Sequence, residues 1–261
     1  MLRIGSYNIL NPFHAVKWKT VEGCDEAGKS NWEWRKGLVL KNLRLAGLDI
    51  VCLQEVSPAN LQVLKHGTNL AIVGIPQPEE PAAEDSSDVA IGFNPERLAL
   101  LKKAPFSTGP AENKRHGLYV DLQDVQTGKV IRVCSVHLKG YNPHEQNRAR
   151  KEEFKKEGYR QLQETVETIL LSDEVIIVAG DFNEDQFEMP LASSRQQLLL
   201  QQHGFVYDQD LTPSEPRSGR RIDWIFCKSP SPVALEPLAF PQHLAASDHC
   251  LVGTGITFNC N

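Results

Sequence analysis

No apolar stretch in the 261 residues approaches the ~18–20 that a membrane-spanning helix needs. The six cysteines include no Cys-x-x-Cys pair, which removes the common zinc and thiol-redox frames. Cys52, Cys134 and Cys227 instead lie inside apolar, strand-like runs and read as small core residues. No Asn-x-Ser/Thr acceptor occurs, so nothing points toward secretion. Basic residues are not in excess: 28 Lys plus Arg against 33 Asp plus Glu leave a net charge of -5. That balance argues against a protein that coats nucleic acid through bulk charge, although it permits a local grip on one or two phosphates. There is no internal repeat. Met1-Leu2-Arg3-Ile4 runs straight into a strand-like pattern, so we expect no signal peptide and a reducing, cytoplasmic setting.

With 41% hydrophobic and 23% charged residues, the chain reads as one globular domain, 1–261, large enough to bury a core without disulfides. Short β-branched runs alternate with longer helical patterns, the signature of an α/β fold. Strands are expected at Arg3–Leu10, Ile50–Gln54, Leu70–Ile75, Asp88–Phe93, Gly117–Leu122, Val130–Val136, Val175–Ala179, Ile222–Cys227 and Cys250–Phe258. Helices are expected at Trp34–Ala46, at about Glu145–Leu171, and at Ser194–His203 with Gly204 closing it. Pro76–Ser87 reads as an acidic solvated loop; Asn11–Asn31 and Gln209–Arg220 are connections of a length that is usually functional.

Polar residues gather where the apolar runs stop. Asn8, Glu55, His137, Asp181 with Asn183, Asp223, and Asp248-His249 are all expected at carboxyl ends of strands, where layered α/β folds collect their sites. Each has a bland explanation: Glu55 as a solvated strand end, Asp181 as a turn cap in Gly-Asp-Phe-Asn, His137 as a backbone-bonded interior histidine, Asp248-His249 as a helix cap. Asp223 resists one, because a carboxylate flanked by Ile222, Trp224, Ile225 and Phe226 must be paired.

Ser6-Tyr7-Asn8-Ile9-Leu10, Leu53-Gln54-Glu55-Val56, Ser135-Val136-His137-Leu138-Lys139, Gly180-Asp181-Phe182-Asn183, Arg221-Ile222-Asp223-Trp224-Ile225-Phe226 and Ser247-Asp248-His249 together resemble the ordered motifs of the endonuclease/exonuclease/phosphatase superfamily. Trp34-Arg35-Lys36 leading into Asp49–Val56, and His137-Leu138-Lys139, are more loosely similar to the nocturnin and carbon-catabolite-repressor type deadenylases. The resemblance implies a four-layer α/β sandwich, with two packed mixed β-sheets flanked by helices. It implies a Mg²⁺-dependent phosphodiesterase, with Mn²⁺ a possible substitute.

On that reading Glu55, Asp248 and Asn8 serve the cation, a sparse oxygen set suited to Mg²⁺. Asp181 orients or deprotonates the attacking water, and Asn183 donates to the same phosphate. His137 and His249 flank the phosphoryl group, with Asp223 holding the His249 imidazole. Asn113 and Lys139 are candidate substrate contacts, whereas Lys114 and Arg115 fit a solvated turn equally well. Arg148, Arg150 and Lys151 read either as a phosphate track or as the wet face of a helix. Trp18 and Trp32 sit where an aromatic could stack a base, while Trp34 is expected to pack its helix onto the sheet. The favoured substrate is RNA cut from a 3′ end by a monomer. Alternatives are a DNA end adduct, a sphingomyelin-type lipid, an inositol phosphate or a nucleotide, and, from another class, a non-catalytic binding scaffold.

Overall fold

The computed structural model describes residues 1–11, 32–75, 88–109, 115–140, 147–170, 175–184, 195–207, 210, 212–216, 218–243 and 246–258. In chain order the elements are β1 (Leu2–Asn8), α1 (Trp32–Ala46), β2 (Ile50–Val56), α2 (Pro58–Gly67), β3 (Ala71–Gly74), β4 (Asp88–Phe93), β5 (Leu98–Thr108) and β6 (Arg115–Asp124). They continue with β7 (Val130–His137), α3 (Arg148–Ile169), β8 (Val175–Asp181), α4 (Arg195–Gln202), β9 (Val206–Tyr207), β10 (Asp223–Lys228), β11 (Val233–Pro237) and β12 (Val252–Phe258). One sheet has the order β11-β12-β1-β2-β4-β3 and the other β5-β6-β7-β8-β10-β9. Both sheets are mixed. Each holds a single parallel pair, β1 with β2 and β7 with β8, and every other pairing is antiparallel. Parallel neighbours need a long crossover, and α1 and α3 lie within those two crossovers.

Strand alternation sorts the side chains into three cores. Leu2, Ile4, Ile50, Cys52, Val133, Val175, Ile177 and Ile225 fill the space between the sheets. Tyr7, Ile9, Val51 and Leu53 point the other way, onto α1 and α2 through Val39, Leu43 and Leu64. Val136, Val178, Phe182 and Phe226 likewise meet Leu162, Val166, Leu199 and Leu200 of α3 and α4. The result is helix, sheet, sheet, helix. Burial raises the Cys52 and Cys227 thiols to about 12, as befits inert core residues. Far from the inward polar strand ends, Arg97 ties the sheets together, 2.7 Å from Asp49 and 3.4 Å from Asp124.

The expected elements are present with shifted ends, and α4 does close at Gly204, whose φ is +81°. Four elements were not anticipated: α2, β5, β9 and β11. β5, β9 and β11 are edge strands. An edge strand need not carry the apolar run by which buried strands are recognised, although the edge strand β3 does; β5 carries Lys102, Lys103 and Pro105 and a bulge near Leu101, devices that discourage further pairing. The short α2 is announced only by its cap, Ser57 accepting from Asn60 N at 3.2 Å ahead of Pro58. Most of the Asn11–Asn31 connection, Trp18 and the acidic Pro76–Ser87 loop lie outside the described residues.

Gly180 shows how tightly the central strands approach. A Cβ there would sit 2.0 Å from the Val136 carbonyl oxygen of the paired strand, one position before His137 and Asp181. Gly180→Ala should therefore destabilise the fold by ~3 kcal/mol through overpacking. Gly37→Ala, in open space on α1, should stabilise it by ~1 kcal/mol through helix propensity. Thermal denaturation of the two variants checks both signs.

Candidate active site

The inward face of each central strand changes character along its length. In β1 the sequence of inward residues is Leu2, Ile4, Ser6, Asn8; in β7 it is Val133, Ser135, His137; in β8 it is Val175, Ile177, Ala179, Asp181. Apolar packing thus gives way to a buried polar layer, where Gln54 bridges Ser6 and Ser135 at 3.4 Å each, and then to ionisable groups. Register aligns the last row: His137 pairs with Asp181, and Asp181 with Asp223. Across the gap between the sheets, Asn8 Nδ2 donates to Asp181 Oδ2 at 3.1 Å and to Glu55 Oε1 at 3.2 Å.

Glu55 reaches this row only by breaking alternation. Strict period two would turn it toward the helices with Val51 and Leu53. Instead its φ is +58°, the β2–β4 register shifts between Leu53 and Val56, and Val56 takes the helix-facing position. Among the described residues the non-glycine positions with positive φ are Leu10, Glu55 and Asn183, all at this end of the sandwich. Such backbone costs on the order of 1–3 kcal/mol per residue, and here it aims side chains and amides. Leu10 N donates to Asn8 Oδ1 at 3.0 Å, Asn11 N to Glu55 Oε2 at 2.8 Å, and Asn183 N to Asp181 Oδ1 at 2.9 Å.

Asp181 is the centre. His137 Nε2 stands 3.6 Å and His249 Nε2 3.9 Å from its Oδ2. Behind His249, Asp223 Oδ2 lies 2.7 Å from Nδ1. Burial and the nearby Asp223 charge push the Asp181 carboxyl up to about 7, against the pull of His249, Asn8 and the Asn183 amide. Burial by itself would lower His249, yet the charge and hydrogen bond of Asp223, with Asp181 and Asp248, hold it well above an ordinary histidine. Asp248 is raised by burial and by the Glu55 and Glu215 charges, with His249 opposing them. Four carboxylates therefore crowd one end of the sandwich, and Asp223 Oδ1 is buried with no hydrogen-bond partner among the described residues. That uncompensated charge suits a divalent cation. Among the described residues the acidic and histidine ligand atoms that come together are those of Asp181, Asp223 and His249, within 4.8 Å of one another; the expected set of Glu55, Asp248 and Asn8 is joined by the Asn8–Glu55 hydrogen bond and by the charge of Glu55 on Asp248. A cation bound through His249 Nδ1 would break the Asp223 contact, whereas Nε2 faces Asp181 at 3.9 Å and leaves that contact intact.

Several sequence expectations need correcting. Asp223 and Asp248-His249 do not stand at carboxyl ends: Asp223 opens β10, and the pair precedes β12, which starts at Val252 and not at Cys250. Because β10 and β12 run antiparallel to β8 and β1, their amino ends lie beside those strands' carboxyl ends. Trp34 does not pack α1 onto the sheet, being 46% exposed; Trp32, 8% exposed, does so on the same helix. One amide hydrogen of Asn183 is spent on the Leu138 carbonyl at 3.1 Å, and Gly140 leaves room for that side chain. Lys139 is half-buried, and burial with the Arg115 and Arg150 charges lowers its pKa; its Nζ sits 5.0 Å from the Phe154 ring centre. Asn113 and Lys114 lie outside the described residues.

Sequence reading left Arg115 open between a phosphate contact and a solvated turn; it is the first residue of β6, and it loses basicity to burial while the Glu55 and Asp181 charges support it. Ser214, fully buried, accepts from the Ile222 and Asp223 amides at 2.9 and 3.0 Å, and its carbonyl accepts from Cys250 N at 2.7 Å. It stitches the Asp223 strand to the His249 segment. Arg115 was detectable only as a charge beside the Asn113 position, and Ser214 carried no signal.

A family model described as the endonuclease/exonuclease/phosphatase family matches residues 5–249. The chain belongs to that family. Comparison with curated protein sequences finds no match. Among solved structures the family fold is shared with the human nocturnin catalytic domain with bound sulfate anion, at 20% identity and TM-score 0.70, covering 99% of this chain and 94% of that one. It is shared also with a mannosyl-6-phosphatase of Bacteroides thetaiotaomicron, at 17% identity, TM-score 0.69 and 99% and 100% coverage. A third is ANGEL2, a 2′,3′-cyclic phosphatase, at 18% identity, TM-score 0.68 and 98% and 95% coverage. Family membership makes the chain a phosphoester hydrolase.

Since the Asn8 amide holds the Asp181 carboxyl down, Asn8→Ala should raise its pKa above about 7 in the metal-free protein. Carbon-detected NMR titration of the carboxyl group reads the shift; a value that falls on removing Asn8 contradicts the arrangement.

Proposed function

We propose that this hydrolase is a divalent-cation-dependent phosphodiesterase that acts on RNA from a 3′ end. One observation carries the chemistry: a buried carboxylate near neutrality, Asp181, is flanked at 3.6 and 3.9 Å by two imidazoles, one of them tethered to Asp223. Asp181 takes the proton of the attacking water and holds that water in line. His249, kept protonated by Asp223, donates to a phosphoryl oxygen as charge develops there, and His137 does so from the other side. Asn183 offers its remaining amide hydrogen to the same group, and Arg115 adds fixed positive charge. A Mg²⁺ ion on Glu55 and Asp248, with Asn8 beside it, would neutralise phosphoryl charge and stabilise the leaving oxygen.

RNA is favoured by the stretch from Trp34-Arg35-Lys36 to Glu55 and by His137-Leu138-Lys139, which resemble the deadenylase branch. Lys139 and Arg115 supply the cationic approach to the scissile phosphate. The net charge of -5 keeps binding confined to a few nucleotides, with a shallow dependence on salt.

Excess EDTA should abolish turnover without unfolding the protein, and Glu55→Ala should raise the Mg²⁺ concentration required; full activity in EDTA would remove the metal from the mechanism. Asp223→Asn and His249→Ala should each lower kcat by ~10²–10⁴-fold. Their double mutant should lose little more than the worse single, whereas additive losses would mean the two act separately. The substrate is decided by comparing oligo(A) RNA, abasic and 5′-tyrosyl DNA, sphingomyelin, inositol phosphates and nicotinamide dinucleotide phosphate, with Asp181→Ala as the blank. RNA should be degraded fastest; turnover of a lipid or small phosphate with RNA untouched would overturn the substrate and leave the chemistry standing.

A further inference from the structure

Helix α1 contributes nothing to the site directly, yet its buried stripe is not wholly apolar. Arg35 and Asn42, seven residues apart and so on one helix face, are 0% and 1% exposed. Burying a guanidinium costs several kcal/mol, and leucine or methionine would pack that face more cheaply. What the guanidinium does is specific. Arg35 donates through Nη1 to the Ile9 carbonyl at 2.9 Å and the Ala246 carbonyl at 2.8 Å, and through Nη2 to the Leu10 carbonyl at 2.8 Å. Ile9 and Leu10 follow the end of β1; the Ile9 amide still donates to the Gln54 carbonyl at 3.2 Å, but the buried carbonyls of Ile9 and Leu10 lie past the strand and need a donor. Asn42 works chiefly on the other segment, donating to the His243 carbonyl at 3.2 Å and accepting from His243 N at 2.7 Å, and it also donates to the Tyr7 hydroxyl of β1 at 3.1 Å.

Both clamped segments lead into the site. Holding Leu10 at φ +56° sets its amide against Asn8 Oδ1 and the Asn11 amide against Glu55 Oε2. Holding Ala246 sets Ser247, which donates to the Asn8 carbonyl at 2.7 Å and accepts from the His249 amide at 3.2 Å. We infer that Arg35, assisted by Asn42, is a positioning residue that fixes the Asn8–Glu55 side of the site relative to the Asp248–His249 side from outside the site itself. The functional part of this inference rests on the site reading proposed above; the structural part does not.

The experiment compares Arg35→Lys, Asn42→Leu and, as a control, Arg132→Lys. Arg132 is a second buried arginine, 9% exposed, bound to Asp121 at 2.7 Å and to the Ile169 carbonyl, in β7 well before His137. A lysine at position 35 cannot reproduce the planar fork that serves three carbonyls. Amide hydrogen exchange at Leu10, Asn11 and His249 should accelerate by ~10-fold or more in Arg35→Lys, with β7 and β8 unchanged, as local loosening requires. In Asn42→Leu the acceleration should be greater at His249 than at Leu10 and Asn11, because Asn42 holds both backbone groups of His243 but only the side chain of Tyr7. With bis(p-nitrophenyl) phosphate and Mg²⁺, kcat of Arg35→Lys should fall on the order of 10²-fold at nearly constant KM, the signature of misplaced groups. Arg132→Lys should lower the melting temperature without either local effect. Uniform acceleration across the core, or the same pattern in Arg132→Lys, would reduce Arg35 to a general stabiliser. Unchanged exchange would overturn the positioning, and loosened exchange with wild-type kcat would overturn its catalytic consequence. A wild-type protein inert toward the reporter with the exchange pattern intact would count against the phosphodiesterase reading and for the clamp.

Discussion

The constraint on which everything else depends is the face-to-face packing of two sheets whose central strands end together. Packing forces the inward positions to be apolar along most of their length, because neither water nor backbone donors are available there. At one end the rule relaxes, and the same alternation delivers Asn8, His137, Asp181 and Asp223 into a shared row. Asp181 meets Asn8 across the sheets at 3.1 Å, so the site exists only where both sheets are assembled.

The site then works against its own burial. Asp181, 2% exposed, would be neutral in an apolar interior; its neighbours return part of that shift and leave it at about 7. His249 is raised as well, because Asp223, Asp181 and Asp248 outweigh the lowering that burial alone would bring. A carboxylate made more basic next to an imidazole kept charged is the division of labour that acid–base chemistry on a phosphoester requires. Strained backbone at Leu10, Glu55 and Asn183 is part of the same arrangement: each departure from regular geometry supplies an amide or a side chain that straight strands could not.

Much of this was legible in the residues. The buried strands announce themselves by β-branched runs, and the polar residues that close them announce the site, since a carboxylate such as Asp223 amid Ile222, Trp224 and Ile225 has to be paired. Three of the four edge strands, β5, β9 and β11, were silent because edge positions need not be apolar, whereas the edge strand β3 was legible from its Ala71-Ile72-Val73 run. The direction of approach was misread for Asp223 and for Asp248-His249, because strand polarity is a property of the sheet and not of the segment.

The sequence by itself determined the α/β class, the family, and the polar residues that gather at strand ends. Those are local properties: period, propensity and the cost of burying polar groups act over a few residues at a time. Only the tertiary structure decided which groups meet. The bulge that turns Glu55 to Asn8, the 2.7 Å contact of Asp223 with His249, the influence of the Glu55 and Asp181 charges on Arg115, and the reach of Arg35 to carbonyls at Ile9 and Ala246 all join residues far apart in the chain. Such contacts follow from sheet order, register and close packing, and no periodicity within a segment encodes them.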